Sequence, residues 1–322
     1  MSEPIHHSIR GGGYRAEVSG TGAALLALDY DVSSDTRESA ARGSAARGSA
    51  GAYRLVETPP GHEPPQDYVG AVLAPWPGGI RDGHFYFDGI EHQLALTDPE
   101  RGTAVNGLAW HRRWEVTALT DSRIQHTLEV GLHKGWPYQL RLTVAHEVGP
   151  HGLTVTHTAT NVGGYHSPFG LGVCPYLRAG DTPLDECTLQ LAAGTRMPLD
   201  RARGLPDAYS QSVADTEYDF TRARLLGDVH LDVPFSALDE DLDGNARHRL
   251  CGPDGRGAEL WTGRGFGWLQ ATTIEDAGTR ALALAPMTCP PDAFNLGIDL
   301  LVLQSGERWS GRWGLRAYDS QG

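Results

Sequence analysis

Apolar and polar residues alternate with a period of two over many short stretches of the chain. GYRAEVSG, HFYFDGIEHQLAL, RRWEVTALT, IQHTLEVGL, YQLRLTVAHEV and LTVTHTATNV all follow this pattern. In YQLRLTVAHEV, Leu140, Leu142 and Val144 fall on one face of an extended segment, and Gln139, Arg141 and Thr143 on the other. Successive strand side chains point to opposite faces, so each run predicts a strand with one buried side. Gly, Pro, Asp or Asn bounds each run, as turns between strands require. No long stretch carries the helical period. Many short strands at regular spacing predict an all-β fold, a large antiparallel sandwich without an internal domain boundary. The 322 residues exceed one average domain, but β-sandwiches reach ~200–250 residues as one unit. One sandwich domain is therefore expected over residues 1–322. Within it, the tandem repeat SAARGSAARGSAG (39–51) reads as a flexible low-complexity loop.

Charge narrows the partners. Lys and Arg number 27 against 40 Asp and Glu, a formal net charge of −13. Nucleic acid and anionic membranes both select a basic face, so neither is expected as a partner. No run of 18 apolar residues is present, and no membrane span is predicted. The start, MSEPIHHSIRGGGYR, lacks the apolar run of a secretory signal. The four cysteines, Cys174, Cys187, Cys251 and Cys289, form no C-x-x-C pair. A cytoplasmic protein with free thiols, no metal site and no cofactor is the expectation. G-x-S-x-G, P-loop and H-E-x-x-H motifs are absent. The acidic run DEDLDG (239–244) lacks the downstream glutamate of a calcium loop and reads as a solvated turn.

Seven blocks occur in a fixed order: LAPWPGGIRDG (73–83), FDGIEHQLALTDPERGTAVNGLAW (87–110), SPFGLGVCPYL (167–177), MPLDRARGLP (197–206), LDVPFSAL (231–238), MTCPPDAFN (287–295) and LLVLQSGERWSGRWGL (300–315). Together they resemble the aldose 1-epimerase (galactose mutarotase) family over nearly the whole chain. The resemblance implies a galactose-mutarotase-like β-supersandwich, with a sugar in a cleft across one sheet. It also implies a reaction in which a carboxylate base deprotonates the anomeric hydroxyl while a histidine acid protonates the ring oxygen. Such chemistry needs an acid and a base on opposite sides of one C–O bond.

Residue by residue, the resemblance carries over unevenly. The family's P-G-E turn corresponds to Ser305-Gly306-Glu307, which makes Glu307 the expected base. The sugar-orienting aspartate corresponds to Asp232 in LDVPF. The acid histidine before Pro-Tyr is replaced by Cys174. Gly78-Gly79 stands for Asn-Arg, and Asn106-Gly107-Leu108-Ala109-Trp110 for His-Gly-Leu-Val-Arg. Five matched positions have thus departed: an asparagine, two arginines and two histidines. Asn106 and Trp110 are the expected substitutes on the ligand, with Gln270 of WLQATT as a cleft-facing group. Trp76 and Trp261 add aromatic surface, Trp76 as core packing. Two readings of Cys174 stand, a weak proton donor or nucleophile and an inert buried thiol. His111, His157 and His166 read as structural histidines.

Two functions follow. One is an aldose 1-epimerase-like isomerase acting on an altered sugar or other cyclic hemiacetal, which the retained Glu307 favours. The other is a non-catalytic carbohydrate-binding protein, which the missing acid favours. Both take a small sugar-like molecule.

Overall fold

The computed structural model describes residues 6–31, 52–58, 68–276 and 279–320. The repeat at 39–51 lies outside these residues. Strands among them form a twelve-stranded and a nine-stranded sheet, with four two-stranded ribbons at the periphery. The only α-helix among them is the single turn Ala293–Leu296.

The period-two pattern explains how the sheets meet. In the strand Leu140–Gly149, Leu140, Leu142 and Val144 are fully buried, while Arg141 is exposed. Leu153, Val155, Leu260 and Leu315 extend this apolar face across the nine-stranded sheet. Ile9, Ala16, Leu28, Leu269, Ala271, Leu282 and Leu284 present the matching face of the twelve-stranded sheet. All belong to one continuous core. Each large aliphatic side chain buried there contributes about 1.5–3 kcal/mol.

The same alternation creates an outward face. Trp268–Asp276 and Thr279–Met287 pair antiparallel, with Gln270 opposite Ala285 and Thr272 opposite Ala283. Leu269, Ala271, Leu282 and Leu284 point into the core. The intervening Gln270, Thr272, Ala283 and Ala285 therefore point away from it, into a cleft over the twelve-stranded sheet.

Histidines are sealed inside the sandwich. His126, His146, His157 and His248 are all nearly or fully buried. Burial pushes His126 down to about 4 and His157 and His248 to about 3. His146 is held well below its usual value by burial and by its neighbours His126 and His157. His157 accepts a hydrogen bond from the Trp313 indole N–H at 2.9 Å. Neither ring nitrogen of His126 has a partner.

This burial sets a pH dependence. An unfolded chain protonates its imidazoles near pH ~6.5, whereas the folded chain excludes the proton until far lower pH. The stabilising difference is present in full above ~6.5 and is lost as pH falls towards the depressed values. Melting temperature should therefore decline progressively from pH 7 to pH 4. An unpartnered buried polar group costs about 1–3 kcal/mol. His126→Leu should accordingly hold or raise the melting temperature at pH 7 and flatten its fall at pH 5, measured by scanning calorimetry.

Candidate functional site

Sheet register assembles the floor of the cleft. Asp232 lies opposite Thr272, Thr272 opposite Ala283, and Ala283 opposite Tyr176, a row across four neighbouring strands. The next row brings Gln270 beside Ala285. Gly172 faces Met287 and Tyr176 faces Ala283, so the intervening Cys174 runs alongside Ala285. All of these residues except Gly172 line a cavity of about 320 Å³, whose walls include Gly78, Gly79, Asn106, Arg101 and Arg203.

Asp232 supplies the acceptor at one end of the row. Gln270 Nε2 donates to its Oδ1 at 2.8 Å and lies 3.3 Å from Thr272 Oγ1. The carboxylate is open to the cavity but crowded by its walls. This partial desolvation raises the Asp232 pKa, opposed by the nearby Arg101 charge and the Gln270 hydrogen bond. Cys174 lies towards the other end. Burial pushes its thiol up to about 12, against a hydrogen bond with Tyr176 that pulls the other way. The thiol therefore stays protonated at neutral pH, which makes it a poor nucleophile.

Asn106 lines the cavity, but its side-chain oxygen is already engaged. It accepts from the Gly78 N–H at 2.8 Å, while the Asn106 N–H donates to the Gly78 carbonyl at 2.9 Å. Asn106 thus braces one wall. It does so from a left-handed backbone with φ 59°, which asparagine tolerates better than most residues.

Two further cavity-lining arginines, Arg101 and Arg203, were not singled out from sequence. Arg203 donates to Asp82 at 2.6 Å, to the Gly102 carbonyl at 2.8 Å and to the Arg101 carbonyl at 3.0 Å. It pins the loop that carries Arg101 over the cavity. The Arg101 N–H in turn donates to Asp98 Oδ1 at 3.1 Å. The available signal was the position of both arginines inside family-like blocks, DPERGTAV and MPLDRARGLP.

The structure brings together Cys174, Asp232, Asn106 and Gln270, but neither Glu307 nor Trp110 lines the cavity. Glu307 is exposed, and its Oε2 accepts from the Gln304 N–H at 2.7 Å across a turn. That turn feeds the strand Arg308–Asp319 of the nine-stranded sheet, away from the sheet that floors the cleft. Trp110 stands behind the wall, its ring 4.6 Å from that of Tyr68, which does line the cavity. No histidine lines it among the described residues. His166 pairs with Asp88 instead, and His157 is locked to Trp313 in the core.

The sequence profile of the aldose 1-epimerase family matches residues 6–316. The chain belongs to the aldose 1-epimerase family. It is 29% identical over 297 residues to the uncharacterized protein YihR of Escherichia coli K12, covering 90% of this chain and 91% of that one. Its fold is the galactose-mutarotase-like supersandwich. It is similar in structure to a GalM/aldose epimerase homologue from C. elegans, with a TM-score of 0.79, 17% identity and 98% of each chain covered. A putative aldose 1-epimerase from Escherichia coli K12 aligns with a TM-score of 0.76 and 19% identity over 98% of this chain and 99% of that one.

In this family member the cavity wall depends on a close backbone approach at Gly107. Its φ is 71°, and a Cβ there would sit 2.2 Å from the Ala74 carbonyl oxygen. Gly107→Ala should therefore lower stability by at least about 2 kcal/mol, since it combines left-handed strain with a backbone clash. Urea unfolding checks this. Asn106→Ala should cost about 0.5–1.5 kcal/mol, because the half-buried Gly78 N–H loses its acceptor.

Proposed function

We propose that the cavity binds a sugar-like ring and that the chain is a divergent member of its family in which mutarotation of glucose and galactose is weak or absent. The observation that carries this reading is the pair Cys174 and Ala285. At the place where the family's acid is expected stands a protonated thiol, and the neighbouring strand offers it a methyl group rather than a proton acceptor.

The spacing of the row supports the same reading. Neighbouring strands lie about 4.8 Å apart, so Asp232 and Tyr176, three strands from each other, are separated by about 14 Å across the sheet. Side chains that far apart bracket a whole ring. They do not flank one C–O bond at the ~2.6–3.2 Å hydrogen-bond reach of an acid/base pair. Asp232 is acceptor-only when ionised and suits two hydroxyl donors. The small Ala283 and Ala285 leave room for the ring above the floor. The Cys174 thiol and Tyr176 phenol stand at its far end.

Catalysis on a different cyclic hemiacetal is the second reading, favoured by one observation. Asp232 has its pKa raised by desolvation, the direction that makes a carboxylate a better base. In that case Asp232 takes the hydroxyl proton and Glu307 takes no part.

Polarimetry on both anomers of glucose and galactose tests the proposal. General acid and base groups contribute typically ~10²–10⁴-fold in rate, so turnover should fall short of a histidine-containing mutarotase by at least that range. Turnover equal to such an enzyme overturns the reading. Glu307→Gln should leave any activity and any ligand affinity unchanged. Asp232→Asn should weaken ligand binding by about tenfold or more, measured by calorimetric titration. Affinity should also fall on acidification. Asp232 accepts hydroxyls only when ionised, so binding is present above its raised pKa and is lost below it.

A further inference from the structure

Trp261, grouped by sequence with the aromatic residues of a ligand cleft, is not in the cleft. It lies on the strand Arg256–Gly263 of the nine-stranded sheet, between Leu260 and Thr262, which point inward. Its indole faces outward, on the side of the sandwich opposite the cleft. Across the sheet it pairs with Gly314 on one side and Arg247 on the other. A Cβ at Gly314 would fall 2.5 Å from Trp261 Cε2 and Nε1. Glycine at that point lets the indole lie down over the neighbouring strand and present a flat face to solvent. Among the described residues no guanidinium stacks on that ring.

The indole forms one wall of a polar groove that also contains Asn245, Gly263, Arg264, Ser310 and Arg312. The charges in this groove are unevenly matched. Asp243 is already taken by Arg247 and by the Asn245 side chain. Arg264 reaches Glu240 only at 3.6 Å. Two other outward arginines on this sheet, Arg249 and Arg316, converge on the buried Glu259 at 2.8 and 2.7 Å. Arg312 has no carboxylate partner among the described residues. In a chain of net charge −13, an unpaired guanidinium beside a bare indole is a local inversion of the protein's charge.

We propose that this groove is a second saccharide site, selective for a pyranose that carries a carboxylate, such as a uronic acid unit of an oligosaccharide. The C–H face of the ring lies on the indole, which supplies a large rigid contact at small entropic cost. Arg312 receives the carboxylate in the two-pronged geometry that guanidinium favours. The Asn245 side-chain oxygen and Ser310 Oγ accept from ring hydroxyls. Ser310 Oγ retains this capacity because its own proton goes to the His157 carbonyl at 2.9 Å. The site is independent of the cleft, which faces the other way.

Calorimetric titration of the full chain with tetragalacturonate, and with maltotetraose as a neutral tetrasaccharide, tests this. Tetragalacturonate should bind more tightly than maltotetraose, and the difference should shrink at high salt. Trp261→Ala should weaken tetragalacturonate binding by at least about tenfold. Arg312→Gln, a conservative change at an exposed residue, should reduce tetragalacturonate to the level of the neutral sugar. Asp232→Asn should leave this binding unchanged, which separates it from the cleft. The proposal is overturned if tetragalacturonate fails to bind at millimolar concentration, or if Arg312→Gln binds it as the wild type does. It is equally overturned if Asp232→Asn abolishes binding.

Discussion

The antiparallel register between Trp268–Asp276 and Thr279–Met287 is the constraint on which the rest of this protein depends. Leu269, Ala271, Leu282 and Leu284 must all enter the core together. Once they do, Gln270, Thr272, Ala283 and Ala285 have no choice but to face outward. A slip of one residue would place leucines in the cleft and the glutamine and threonine in the core, at a prohibitive cost in desolvated polar groups. The neighbouring strands inherit the frame. Asp232 and Tyr176 stand at the ends of one row because each pairs in turn with this central hairpin. The shape of the cleft is thus a by-product of core burial.

Fold and chemistry separate at this cleft. Core packing conserves the sheet frame whatever stands on its outward face, because outward side chains contribute little to the apolar core. Side chains there, such as histidine, arginine and asparagine, are therefore free to be replaced without unfolding the molecule. Gly78 and Asn106 show how such a position finds a different use, as each supplies the other's hydrogen bond and together they brace a wall. A family's fold therefore persists whatever side chains its outward face carries.

The opposite face obeys a different balance. Buried Glu259 draws in Arg247, Arg249 and Arg316. A carboxylate removed from water needs such partners to offset its desolvation. That network accounts for most of the outward arginines near it, and it is what makes Arg312 and Trp261 stand apart. The chain's acidic total charge conceals this arrangement, because net charge averages over faces that no ligand meets together.

Much of the architecture was legible in the sequence. The two-residue period predicted an all-β sandwich because strand geometry is local, and family-like blocks in order predicted which sandwich it is. Asp232, Cys174, Asn106 and Gln270 were legible as residues of one cavity because the blocks that hold them are the strands and turns around the cleft. Glu307 and Trp110 lie outside the cavity lining for one reason. Their neighbours in sequence matched, but the turn before Arg308 feeds the other sheet and Trp110 packs behind Tyr68. Which sheet a turn serves, and which side of a wall a ring takes, depend on pairings between residues far apart in the chain. Arg101 and Arg203 meet across 102 residues, and although both lie in family-like blocks, no local pattern announces that they meet. The alternation of side chains along each strand was determined by the sequence alone; the partners each side chain meets were decided only when the two sheets closed on a common core.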